Sequence, residues 1–261
     1  MAPPATAAKE FRKLPLYLGS LERLREEHII DVVKLSLRPR RRMVVLPSKG
    51  TSDEAQAARE ALAEDPYNLH LILELAHKYV TQGHVERAGN VLLRGWKRAG
   101  EIEDVHVRFC FLMKLCEVSY LLSRFKQAMA VLQDVAEPED PVERKSYHIL
   151  SCHVFGANKE VQKTLKAFQK AIEGEDFEMA VRIYALTLTD LKEVGIYSVA
   201  KSAIERMAPE GEKDSTLAML DGFATKEPDT SLRPDDIQRY FLMAAAVAAA
   251  AVLLGLLYWL E

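Results

Sequence analysis

Few side chains in this 261-residue sequence are spaced to do chemistry together. His148 and Cys152 stand four residues apart, a step that puts both on one face of a helix. His70 and His77 stand seven apart, and a metal ion held there would want a four-residue step and a carboxylate or thiolate alongside. The cysteines are Cys110, Cys116 and Cys152, an odd number with no C-x-x-C pair, which argues against a disulfide framework and fits a reducing compartment. The sequence has no G-x-G-x-x-G, no G-x-x-x-x-G-K, no G-x-S-x-G and no H-E-x-x-H. Its acidic residues are plentiful but scattered. The expectation is a non-enzyme with no catalytic residue, no metal and no cofactor.

What would position such residues is helix after helix. From about residue 53 to 208, Pro and Gly are sparse and β-branched runs are short. Leu69, Ile72, Leu75, Ala76 and Tyr79 recur at helical spacing. After "TQGH" a second face follows, with Val85, Ala88, Leu92 and Gly95. The chain is 49% hydrophobic and 28% charged, an ordinary globular balance. The net charge of -3 is too small to imply a nucleic-acid partner.

The stretch "NLHLILELAHKYVTQGHVERAGNVLLRGWKRAG" resembles a tetratricopeptide repeat (TPR), a helix-turn-helix unit with large and small residues at fixed positions. With a start at Leu69, the matching residues are Leu75, Ala76, Tyr79, Gly83, Ala88, Leu92 and Gly95. The pattern recurs with Leu115, Cys116, Phe125, Ala128 and Leu132, then with Cys152, Phe155, Phe168 and Ala171, then with Leu191, Gly195, Tyr197, Ala200 and Ile204. Aligned on Ala88, Ala128, Thr164 and Ala200, the intervals are 40, 36 and 36, and an insertion at "EIEDVH" would explain the first. A generic helical-hairpin solenoid is the alternative. In this register Cys116 and Cys152 are small packing residues. The resemblance implies a concave face that holds a peptide or helix, with Leu73, His77, Met113 and Glu117 as partner-binding positions. Members that clamp chaperone tails carry Lys and Asn where this chain has Leu73 and His77, so that subtype is not expected.

Two flanks complete the organisation. Residues 1–52 contain amphipathic helices, whose Leu21, Leu24, Ile29, Val32, Val33 and Leu35 suit a face packed on the first repeat. They also hold the basic patch Arg38, Arg40, Arg41 and Arg42, suited to lipid headgroups, an acidic partner or solvent. The N-terminus shows neither a secretory signal nor a mitochondrial presequence pattern. Residues 53–209 form the repeat domain. Residues 210–239 read as a linker, with a short helix near "STLAMLDGFA" to cap the last repeat.

Residues 240–260 read as a single transmembrane helix, marked by Phe241, Ala245, Ala249, Gly255 and Trp259. Residues 241–260 hold no charge, and twenty helical residues span roughly 30 Å of hydrocarbon. Tyr240, Tyr258 and Trp259 suit the two interfaces. Arg233 and Arg239 precede the span, so the positive-inside rule leaves residues 1–239 cytosolic. The fold class expected is therefore all-α: a TPR-like helical-hairpin solenoid, then a tail anchor. An Ala-rich span favours the mitochondrial outer membrane, with peroxisome or endoplasmic reticulum as alternatives. The lack of basic residues after the span departs from the usual mitochondrial and peroxisomal pattern. The function expected is an adaptor or receptor that binds a protein partner at an organelle surface, in import or organelle dynamics. The alternative is a fixed accessory subunit of a membrane complex, because "AAAVAAAA" allows close helix packing.

Overall fold

The computed structural model describes Arg25, residues 52–211 and residues 213–225. Among these residues the protein is all-α, with ten helices and no strand. They are α1 (Ser52–Glu64), α2 (Leu69–Thr81), α3 (Val85–Trp96), α4 (Val105–Leu121), α5 (Phe125–Gln133), α6 (Pro141–Ala157), α7 (Val161–Ile172), α8 (Phe177–Glu193), α9 (Tyr197–Glu205) and α10 (Lys213–Thr225). None of them is long and apolar enough to cross a membrane, and the expected span lies outside the described residues.

Helices α2 to α9 pair as four hairpins, and one turn closes all four. The middle turn residue is left-handed each time: Gly83 (φ 80°), Ser123 (59°), Lys159 (63°) and Gly195 (74°). Its N–H and that of the next residue reach back to the last turn of the helix. In the first hairpin Gly83 N–H donates to the Val80 carbonyl and His84 N–H to that of Tyr79, and the other three hairpins repeat both bonds. This is the Schellman closure, which satisfies carbonyls that a helix end leaves open. Three residues after each left-handed or turn-closing pair, the second helix is under way. Its fourth residue (Ala88, Ala128, Thr164 or Ala200) is wholly buried, as the repeat register expects. Thr164 tolerates that position because its hydroxyl donates to the Glu160 carbonyl at 2.9 Å.

The first helices start on an even rhythm. Asn68, Asp104, Asp140 and Asp176 cap them, each side chain accepting from backbone N–H groups of the first turn. These caps stand 36 residues apart throughout. The expected insertion at "EIEDVH" has its counterpart in a short helix before it: α2 has 13 residues where α4, α6 and α8 have 17. The first turn comes one helical turn early, and the missing four residues reappear after it, around the 3-10 turn Ala99–Glu101. Helix α10 starts 36 residues after α8, so the same rhythm enters the segment read as a linker. Its Leu220 and Phe223 are buried, consistent with a helix that covers the end of the array.

The first helix of each hairpin packs on the first helix of the next. The buried apolar side chains form two clusters that meet at α6. Leu150 and Val154 face the cluster running from α1, while Ile149 and Cys152 face the cluster running on to α10. Arg25 contacts α8: its carbonyl accepts from Arg182 Nη1 at 3.0 Å. Arg25 thus meets the fourth hairpin, while the packing of Leu21, Leu24, Ile29, Val32, Val33 and Leu35 expected on the first repeat falls outside the described residues. An amphipathic pattern specifies that a face is buried, not which surface buries it.

Candidate functional site

Because cap and turn are fixed, equivalent positions of the first helices can be counted back from the left-handed residue. Ten and six residues before it stand Leu73 and His77, Met113 and Glu117, Ile149 and His153, and Ala185 and Thr189. These are the positions the repeat register assigns to the inner face. Leu73, Met113 and Glu117 are 1%, 0% and 0% exposed, and His77 is half-buried. Leu73 and Met113 belong to the apolar core. Arg38, Arg40, Arg41 and Arg42, and the span residues Phe241, Ala245, Ala249, Gly255 and Trp259, lie outside the described residues.

Polar groups concentrate on this face. Lys114 Nζ donates to Glu117 Oε2 at 2.8 Å with both side chains buried. An ion pair out of water keeps its charges only by such close bonding. Burial is the main cause that holds the His77 imidazole down to about 4, with Lys114 and Lys78 pushing the same way. His77 is thus neutral at physiological pH.

Three first helices converge on one carboxylate. Asp190 of α8 lies 2.8 Å from His153 Nδ1 of α6, and it accepts from Tyr120 Oη of α4 at 3.2 Å. The approach is close because residue 156 is glycine: a Cβ there would stand 2.5 Å from Asp190 Cβ. His153 Nε2, on the far side of the ring, is buried with no hydrogen-bond partner among the described residues. No local sequence signal marked this relay, since its members are up to 70 residues apart.

A second relay joins α4 to α6. Cys110 Sγ lies 3.5 Å from His106 Nε2, and His106 Nδ1 lies 2.6 Å from Glu143 Oε1. The sequence signal existed here, for "HVRFC" carries the same four-residue step as His148 and Cys152. The structure treats the two pairs differently. His148 Nε2 turns to Glu137 at 3.2 Å, and Cys152 is fully buried. His70 and His77 are not brought to a common ligand set: among the described residues no group of three or more His, Cys, Asp and Glu side chains is arranged to hold a metal ion.

No protein-family model matches the chain, and comparisons with curated proteins and with solved structures find no match.

Proposed function

We propose that the chain is a membrane-tethered, TPR-like adaptor: a helical-hairpin scaffold that holds a protein or peptide partner, anchored through residues 240–260 with the repeat domain in the cytosol. The mitochondrial outer membrane is the favoured site. The observation that carries this reading is the repetition itself. Four hairpins share one turn geometry, one cap position and one buried small residue, and stacked units of this kind present continuous surfaces suited to binding. The apolar, charge-free run at residues 241–260 supplies the tether.

The test is the location of the full chain tagged at its N-terminus, with and without residues 240–261, together with protease protection of the tag. An exposed tag ringing an organelle, and a truncated chain released from it, are the expected results. A protected tag, or a truncated chain still at the membrane, would sink the reading.

One observation favours a second reading, a fixed accessory subunit of a membrane complex. Leu73, Met113 and Glu117 are buried, so the inner face is not open at these positions. A permanent subunit needs no open groove. Its anchor would pack against other spans, so Ala245→Leu, Ala249→Leu or Gly255→Leu should release it from the complex. A simple tether should tolerate all three.

A further inference from the structure

The relay at the start of α4 and α6 supports an inference that does not depend on the adaptor reading. We propose that Cys110 is an activated nucleophilic thiol and a site of covalent modification by thiol-disulfide exchange. His106 is its proton acceptor, and Glu143 positions the imidazole.

The geometry assigns the protons. Glu143 sits in the first turn of α6, where the positive end of the helix favours the ionised carboxylate. An ionised carboxylate only accepts, so His106 Nδ1 carries the hydrogen in the 2.6 Å contact. In the neutral imidazole His106 Nε2 then holds a lone pair, and this nitrogen faces Cys110 Sγ at 3.5 Å. The proton can pass from Sγ to Nε2, which leaves a thiolate beside an imidazolium that Glu143 stabilises. A nucleophile, a base and a group orienting the base is the arrangement that activates cysteines elsewhere in chemistry. Lys114 follows one turn after Cys110 on α4 and pairs with Glu117 at 2.8 Å. From α2, His77 lies in the field of Lys114 and His70 in that of Asp104, and burial keeps both histidines towards their neutral forms.

The other two cysteines provide the contrast. Cys116 and Cys152 are fully buried, and burial pushes both thiols up. Cys116 donates to the Ala128 carbonyl. Cys110 alone of the three is part-exposed.

The substrate class is a small disulfide. The Cys110 thiolate attacks one sulfur, and an S–S bond forms to that half while the original S–S bond breaks. The other half leaves as a thiolate and takes the proton held on His106. The disulfide supplies the only oxidising equivalent, and a free thiol reverses the step.

The experiment uses the full-length reduced chain and the aromatic disulfide 5,5′-dithiobis(2-nitrobenzoate), with each cysteine followed by peptide mass spectrometry from pH 5.5 to 9. Cys110 should react first. At pH 7 it should react about tenfold faster than in the urea-unfolded chain, with a rate midpoint below that of an ordinary thiol near 8.5. His106→Gln should abolish that advantage and return the midpoint towards the ordinary value, and Glu143→Gln should do so in part. Continued protection of Cys116 and Cys152 shows that a variant is folded. If His106→Gln fails that check, Glu143→Gln makes the comparison alone. Reaction of Cys110 no faster than in the unfolded chain, or a pH profile unmoved in the folded variants, would overturn the proposal.

Discussion

At His77 the fold is coupled to pH. Its imidazole is held near 4 in the folded chain, chiefly by burial and then by Lys114, against about 6.5 when unfolded. The unfolded chain therefore takes up the proton first. Stability is at its full value above about pH 6.5, falls as the pH drops towards 4, and levels off below that, by at most roughly 3 kcal/mol from this residue. His70 and His148 are lowered by burial as well and add in the same direction. Urea midpoints at pH 7.5 and 4.5 should differ less in His77→Leu than in the parent chain; an equal difference would refute the assignment. Glycines give a second contrast. Gly156→Ala would drive a Cβ to 2.5 Å from Asp190 Cβ and 3.3 Å from its Cα. Overpacking against a backbone typically costs about 1–3 kcal/mol, which outweighs a helix-propensity gain of about 1 kcal/mol. At Gly89 the nearest atom is the tip of Leu122, at 2.8 Å, and it can swing aside. Gly89→Ala should be neutral or stabilising where Gly156→Ala destabilises, as thermal melts would show. The small residues Cys116, Cys152 and Ala88 were legible in sequence because small residues recur at these places from hairpin to hairpin. Gly156 was not, because the neighbour that demands it lies on the next hairpin.

Among the elements, the four turns form a natural experiment. Gly83 and Gly195 occupy the left-handed position at little steric cost, whereas Ser123 and Lys159 hold it against the clash of Cβ with the backbone. Ser123→Gly and Lys159→Gly should each stabilise by about 1 kcal/mol, raising Tm by about 2–4 °C in a domain of this size, while Gly83→Ala and Gly195→Ala should lower it. Differential scanning calorimetry on the four variants decides the matter, and a fall in Tm for either added glycine would count against it. Helix spacing was readable from the apolar pattern, and the two glycine turns from their composition. The Ser123 and Lys159 turns carry no such flag. The 36-residue rhythm was also written in the sequence, at Asn68, Asp104, Asp140 and Asp176. Following the small residues instead showed only the longer loop around Ala99–Glu101 as a long first interval, and hid the shorter α2 that offsets it.

For the molecule as a whole, contacts between non-neighbouring hairpins matter most. In a simple repeat array each unit touches only the next, and ends can fray independently. Here Tyr120 of the second hairpin bonds Asp190 of the fourth, and Arg182 of the fourth bonds Arg25. Unfolding should therefore be one cooperative transition. With Trp259→Phe, the fluorescence of Trp96, whose Nε1 donates to Asp134 at 3.1 Å, reports the seam between the first two hairpins. Its guanidinium transition should coincide with that of far-UV circular dichroism, and separate midpoints would show that the hairpins melt one by one. None of these cross-links was legible from sequence, since period and amphipathicity describe a helix and its immediate neighbours only. The Arg182–Arg25 bond has a further consequence, for the order of events during synthesis. Its two residues are 157 apart in the chain. At about 5–20 residues per second, Arg25 leaves the ribosome roughly 8–30 s before its partner. The Arg25 carbonyl must wait for the fourth hairpin before this bond can form, and during that interval it is open to water or to any factor at the ribosome.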